Sequence, residues 1–137
     1  MSLVFFDTNI LVYTEDARVP DKQLQATRLV EEHWLNYTAV LSLQVLQEYF
    51  ATVTQKLNAP LERAQRRVEI FASAKVVRFE TYDVIAAIEL HRLAHVSFWD
   101  ALILHAARIS GATVLYSEDF QHGATVGGVR VVNPFLP

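Results

Sequence analysis

Hydrophobic positions along this chain follow two rhythms. Five short, mainly apolar runs, bounded by polar or turn residues, predict strands: Val4–Phe6, Thr38–Ser42, Lys75–Phe79, Ala112–Ser117 and Val129–Asn133. Between them, apolar residues recur at helical spacing. A helix is expected from Asn9 to about Glu15, and a second opens at Pro20-Asp21 and runs to about Trp34. Ser42 is a plausible N-cap for a third, whose stripe is Leu43, Leu46, Phe50, Val53 and Leu57. Asn58-Ala59-Pro60 breaks it, and a fourth helix runs from Leu61 to about Ala74. Thr81 can cap a fifth, Tyr82 to about His95. Ser97 begins the sixth, Phe98–Ser110, which is apolar nearly all round and so expected to be buried, with Gly111 placed to end it.

Strands that alternate with helices and are themselves near-continuous apolar runs argue for a parallel sheet covered on both faces. No repeat, low-complexity tract or linker interrupts the 137 residues, so one domain over 1–137 is expected. With 52% hydrophobic residues the chain can bury a sizeable core, which excludes disorder. There are no cysteines, which removes disulfides and thiolate metal sites and makes the reducing cytoplasm the expected location. Asp7 interrupts the N-terminal apolar run and no basic segment precedes it, so neither a signal peptide nor a membrane span is expected. A net charge of −3 supplies no whole-molecule attraction for nucleic acid and does not exclude it.

The polar step Asp7-Thr8-Asn9 inside "LVFFDTNILVY" is where chemistry enters. In an open parallel sheet, ligands bind beyond the carboxyl ends of the strands. Asp7 directly follows the first strand, and Asp119 comes two residues after the fourth. Glu48 and Asp100 lie in the opening turns of helices that start from the same edge. Each has an ordinary alternative. Asp7 can cap the next helix, Asp100 completes the Ser-x-x-Asp capping spacing of "SFWD", and Asp119 can be a turn residue. Glu48 projects about 180° from the predicted stripe, which reads as a solvated position. Ordinary caps have no reason to share one edge of one sheet. Four converging acids would repel one another unless cations sat among them, and an all-oxygen cluster suits Mg²⁺ or Mn²⁺.

"FFDTNILVY", "LQVLQEYF", "SFWDALIL" and "VLYSEDFQHG", in this order and spacing, resemble PIN-domain proteins, and most of all the VapC-type ribonuclease toxins of toxin–antitoxin pairs. The resemblance covers essentially the whole chain. It implies a three-layer α/β/α sandwich with a central parallel sheet, and Mg²⁺- or Mn²⁺-dependent cutting of single-stranded or loop RNA. It makes Asp7, Glu48, Asp100 and Asp119 the catalytic, metal-binding cluster, with Asp7 and Asp100 foremost as direct ligands. Thr8, Asn9 and Ser117 become the polar neighbours that orient carboxylates or a metal-bound water. It also implies a homodimer and a small antitoxin protein lying across the groove. One departure is "QHG", Gln121–Gly123, where relatives often carry "QDG".

Arg63, Arg66, Arg67, Arg78 and Arg92 are candidates for phosphate contacts, set against the simpler reading of solvated helix faces. The histidines show no paired zinc spacing, and Trp99 reads as core rather than as a base-stacking platform. Two rivals stand beside the nuclease. An aspartyl-phosphate enzyme needs a second Asp where Asn9 stands, and a receiver domain needs a Lys that "VLYSED" lacks. The alternative from another class is a PIN-like module that binds RNA or protein without cutting.

Overall fold

The computed structural model describes residues 2–137. The strands are β1 (Val4–Phe6), β2 (Ala39–Ser42), β3 (Lys75–Val77), β4 (Val114–Tyr116), β5 (Thr125–Val126) and β6 (Val129–Val132). The helices are α1 (Thr8–Tyr13), α2 (Pro20–Leu35), α3 (Leu43–Gln55), α4 (Leu61–Phe71), α5 (Thr81–Ala94) and α6 (Phe98–Ile109). One sheet contains all six strands in the order β3-β2-β1-β4-β6-β5. All pairings are parallel except β5 with β6, a hairpin closed by Gly127 and Gly128 at φ +56° and +83°. Two consecutive residues with positive φ make the tight primed turn that glycines favour. The expected parallel sheet is present, and β5 adds an antiparallel edge that two residues between turn signals did not announce.

From β1 the chain steps outward through β2 to β3, then returns to the other side of β1 as β4. Parallel crossovers are right-handed, so reversing direction moves the connecting helices to the opposite face. Accordingly α1 to α4 pack with one another while α5 packs on α6, which gives the three layers. Between β1 and β4 lies the switch point, where the two directions diverge and a crevice opens at the strands' carboxyl ends.

The core is the sheet's two faces. Phe5, Phe6, Val40, Leu41, Leu115 and Val131 are completely or almost completely buried, with Ile10, Leu11, Tyr49 and Phe71 packed over them. Burying an aromatic of this size is worth about 3–5 kcal/mol against alanine.

Three local expectations change. The buried face of α3 is Val45, Leu46, Tyr49 and Val53, leaving Leu43 and Phe50 43% and 36% exposed. Tyr49 turns inward onto Phe71, ring centroids 5.0 Å apart, and so rotates the helix away from its most hydrophobic stripe. Helix α5 starts one residue earlier than expected, capped by Glu80 in a reciprocal box with Asp83 rather than by Thr81. Trp99, expected in the core, is 63% exposed.

Candidate active site

Asp7 ends β1 and N-caps α1, with its backbone still extended (φ −71°, ψ 158°) and its amide bonded to the Tyr116 carbonyl of β4 at 3.0 Å. The ladder thus holds it at the switch point. Both carboxylate oxygens are engaged: the Thr8 amide donates to Oδ1 at 2.7 Å, and the Ser117 hydroxyl to Oδ2 at 2.6 Å. Capping and site are therefore the same placement, not alternatives. Ser117 is wholly buried behind Asp7, and its oxygen also accepts from the Asp119 amide at 3.0 Å, tying the turn after β4 to β1.

Glu48 approaches from α3. The Thr8 hydroxyl donates to its Oε1 at 2.7 Å, and Gln44 Nε2 to its Oε2 at 3.3 Å. With the helix turned onto Tyr49, Glu48 reaches the cleft instead of open solvent. Asp100 sits in the first turn of α6, where its amide donates to the Ser97 hydroxyl at 3.0 Å. Among the described residues its carboxylate makes no reciprocal cap bond, unlike Asp83 in α5. It therefore faces the cleft rather than closing its own helix.

Asp7, Glu48, Asp100 and Asp119 all line one cleft of about 470 Å³, together with Thr8 and Asn9. Every expected site residue is in this cleft or, for Ser117, directly behind it. The electrostatics follow from that convergence. Burial pushes the Asp7 carboxyl up to about 7; the Ser117 and Thr8 hydrogen bonds oppose this, and Asp119 and Glu48 add to it. Asp119 is also pushed above the ordinary carboxylate range, first by partial burial and then by Asp100 and Glu118.

Sequence reasoning missed part of the wall. Asp16 lines the cleft but is held by Arg18, Nε to Oδ1 at 2.8 Å and Nη2 to Oδ2 at 2.9 Å. Tyr13 lines it too; its hydroxyl donates to Glu118, whose other oxygen accepts from Lys22 at 2.9 Å. No motif singles out these residues, because only the fold brings the end of α1 against the turn after β4. Two of the arginines considered for RNA are committed elsewhere: Arg63 and Arg67 both pair with Glu15, at 2.8 and 3.0 Å. His122 accepts from the Asn133 amide at 3.0 Å.

The PIN domain family model matches residues 4–125. The chain belongs to the PIN domain family. Solved structures share the PIN fold. A toxin–antitoxin complex from Klebsiella pneumoniae superposes with a TM-score of 0.69 at 19% identity, covering 96% of this chain and 98% of that one. VapBC2 from Rickettsia felis, bound to a DNA fragment from its promoter, gives a TM-score of 0.67 at 21% identity, covering 94% and 96%. VapC20 of Mycobacterium tuberculosis, a toxin that cleaves the sarcin–ricin loop, gives 0.59 at 21% identity, covering 85% and 89%. No curated protein matches this PIN domain in sequence.

Proposed function

We propose that this PIN domain is a Mg²⁺- or Mn²⁺-dependent endoribonuclease of VapC type, the toxin of a toxin–antitoxin pair. The observation that carries the reading is the convergence of four carboxylates, from β1, α3, α6 and the turn after β4, in one cleft. Holding a carboxylate whose ionisation is delayed to about 7 beside three others is costly to the fold. A divalent cation in the cleft offsets that cost.

The donor set fits such an ion. It is all oxygen, and the Asn9 amide stands in the same lining beside Asp119, whose carboxyl it helps to hold down. Among the described residues no group of three or more His, Asp or Glu side chains is preassembled to grip one ion. Mg²⁺ keeps several waters and takes one or two carboxylates directly, so an open set suits it better than a closed cage. Asp7 and Asp100 would hold it, with Glu48 and Asp119 completing the acidic lining. When bound, such an ion would polarise a phosphodiester oxygen and lower the pKa of a water in its shell.

The chain's own residues do the positioning. Ser117 and the Thr8 amide fix both Asp7 oxygens, so the carboxylate cannot rotate away from the cleft. Thr8 steers Glu48 to the same point, which makes "DTN" a unit serving two acids. Lys22, 4.9 Å from the Tyr13 ring centroid, is committed to Glu118 at 2.9 Å and, with Tyr13, fixes the turn after β4 against α1.

The partners of the reading are an RNA substrate, a small antitoxin and a second copy of the chain. An exposed apolar face on α5, with Tyr82, Ile85, Ile88 and Leu93, supports an interface. The test is a nuclease assay on purified protein with Mg²⁺ or Mn²⁺. Products are expected from the wild type and not from Asp7→Asn or after chelation. Wild-type-like cleavage by Asp7→Asn sinks the assignment. RNA retardation without products would leave the binding-module alternative. Only monomer by size exclusion at micromolar concentration would remove the homodimer.

A further inference from the structure

Trp99 stands one residue before Asp100 and is itself 63% exposed. It forms the shared wall of two cavities, the acidic cleft and a second recess of about 290 Å³ lined by Leu43, Phe79, Val84 and Leu102 with Gln44 and Gln47. Gln44 bridges the two: its Nε2 donates to Glu48 Oε2 at 3.3 Å and to the Trp99 carbonyl at 3.4 Å. The indole is braced from behind. It meets Phe98 edge to face at 5.3 Å, and Phe98 packs on the Ala87, Ala101 and Leu102 cluster between α5 and α6.

Resting on the nuclease reading, we propose that this recess is a nucleobase subsite. It receives the base of the nucleotide next to the phosphate held in the acidic cleft. A base has two apolar faces and a polar edge. The recess matches that division, with an aromatic and aliphatic lining and two side-chain amides: Gln44, whose Nε2 is taken by Glu48 and the Trp99 carbonyl, offers its Oε1 as an acceptor, and Gln47 carries both donors and an acceptor. Its volume lies at the small end of ligand pockets, which suits one base rather than a larger group. A base can enter only when it is unstacked. An A-form duplex keeps its bases inside, so the subsite selects single-stranded or looped RNA and gives Gln44 and Gln47 the means to choose among bases.

The experiment uses the full chain carrying Asp7→Asn, labelled with 5-fluorotryptophan, and single-stranded homopolymeric hexaribonucleotides of A, C, G and U with Mg²⁺. The chain has two tryptophans, so two ¹⁹F resonances are expected, assigned by Trp99→Phe. The Trp99 resonance should shift on binding while that of Trp34 stays put. Trp99→Ala should weaken binding about tenfold or more, the scale of one lost base stack, and Trp99→Phe should retain most of it. Gln47→Ala should flatten the preference among the four homopolymers. Binding with no shift at Trp99, unchanged affinity in Trp99→Ala, or equal binding of the annealed duplex overturns the subsite. Loss of a dimer in Trp99→Ala with per-site affinity intact also overturns it, by assigning the indole to an interface between copies. Wild-type cleavage is read separately. RNA that shifts Trp99 but is never cut keeps the subsite and removes the nuclease. Cleavage without a shift does the reverse.

Discussion

Two aspartates in this molecule are almost equally hidden from solvent, and their surroundings push them in opposite directions. Asp83, in the first turn of α5, accepts from His105 Nε2 at 2.9 Å and from the Glu80 amide at 2.9 Å. Arg108 Nη2 reaches His105 Nδ1 at 2.7 Å. Since a guanidinium can only donate, Nδ1 must accept, and the ring proton sits on Nε2, aimed at Asp83. The His105 hydrogen bond, with the Glu80 amide behind it, holds the Asp83 carboxyl below the usual carboxylate range. Asp7 also accepts two hydrogen bonds, yet burial and the nearby acids lift it to about 7. One aspartate is completed by its own chain and locks α5 to α6. The other is surrounded by its own kind, and under the proposed function it is a cation from outside that would complete it. At Asp7 burial dominates and the neighbouring acids add to it, whereas at Asp83 the hydrogen bonds from His105 and the Glu80 amide outweigh burial.

The largest effect that would break the comparison is on catalysis. Asp7→Asn should lower metal-dependent RNA cleavage by more than about a hundredfold, beyond the range found when groups that merely orient a metal ligand are removed. His105→Ala, at the other aspartate, should leave cleavage per folded molecule nearly intact. Equal losses in a cleavage assay would erase the distinction.

Stability should respond in the opposite sense. Because Asp7 titrates near 7 when folded and near 3.8 otherwise, the folded state keeps a proton that the unfolded chain releases between those values. In metal-free protein its contribution to stability is therefore fully present below about pH 4 and lost as pH rises through about 7. Asp7→Asn should remove that dependence and stabilise the metal-free chain at pH 8 by up to about 4 kcal/mol, read from urea unfolding. No gain at pH 8 would show that Asp7 bears no electrostatic cost.

His105→Ala should lower the melting temperature by about 5–10 °C, because it strips a buried carboxylate of its partner and opens the contact between α5 and α6. A smaller effect sharpens the contrast inside the cleft. Thr8→Val keeps shape but removes the hydroxyl that holds Glu48, and should cost cleavage about tenfold with the fold unchanged by circular dichroism. Arg63→Ala removes an exposed guanidinium from Glu15, whose nearly buried carboxylate keeps Arg67 at 3.0 Å, and should change stability by less than about 1 kcal/mol and RNA affinity not at all in a retardation assay.

Legibility in the sequence divided along physical lines. The parallel strands were plain, because a sheet covered on both faces needs unbroken apolar runs, while the two-residue edge strand β5 left no such run. Glu48 was nearly lost, since periodicity ranks residues by hydrophobicity and placed Leu43 and Phe50 inward. The packing of Tyr49 on Phe71 chose another face, and no single-helix pattern contains Phe71. Trp99 misled for the same reason. A tryptophan in an apolar helix reads as core until its neighbours are known. Arg63 and Arg67 looked available for phosphate only while the position of Glu15 was unknown.

By itself the sequence determined the alternation of strands and helices, the capping serines at 42 and 97, and the placement of four acids just beyond strand ends or in opening helical turns. These are local matters, set by side-chain periodicity and backbone hydrogen bonding within a few residues. The tertiary structure decided that β1 and β4 are neighbours, and hence that Asp7 forms one hydrogen-bonded unit with Ser117 and Asp119, more than a hundred residues further along the chain. It also decided which buried aspartate meets a histidine and which meets other carboxylates. Long-range pairing is fixed by how faces pack against one another, and that information is spread over the whole core.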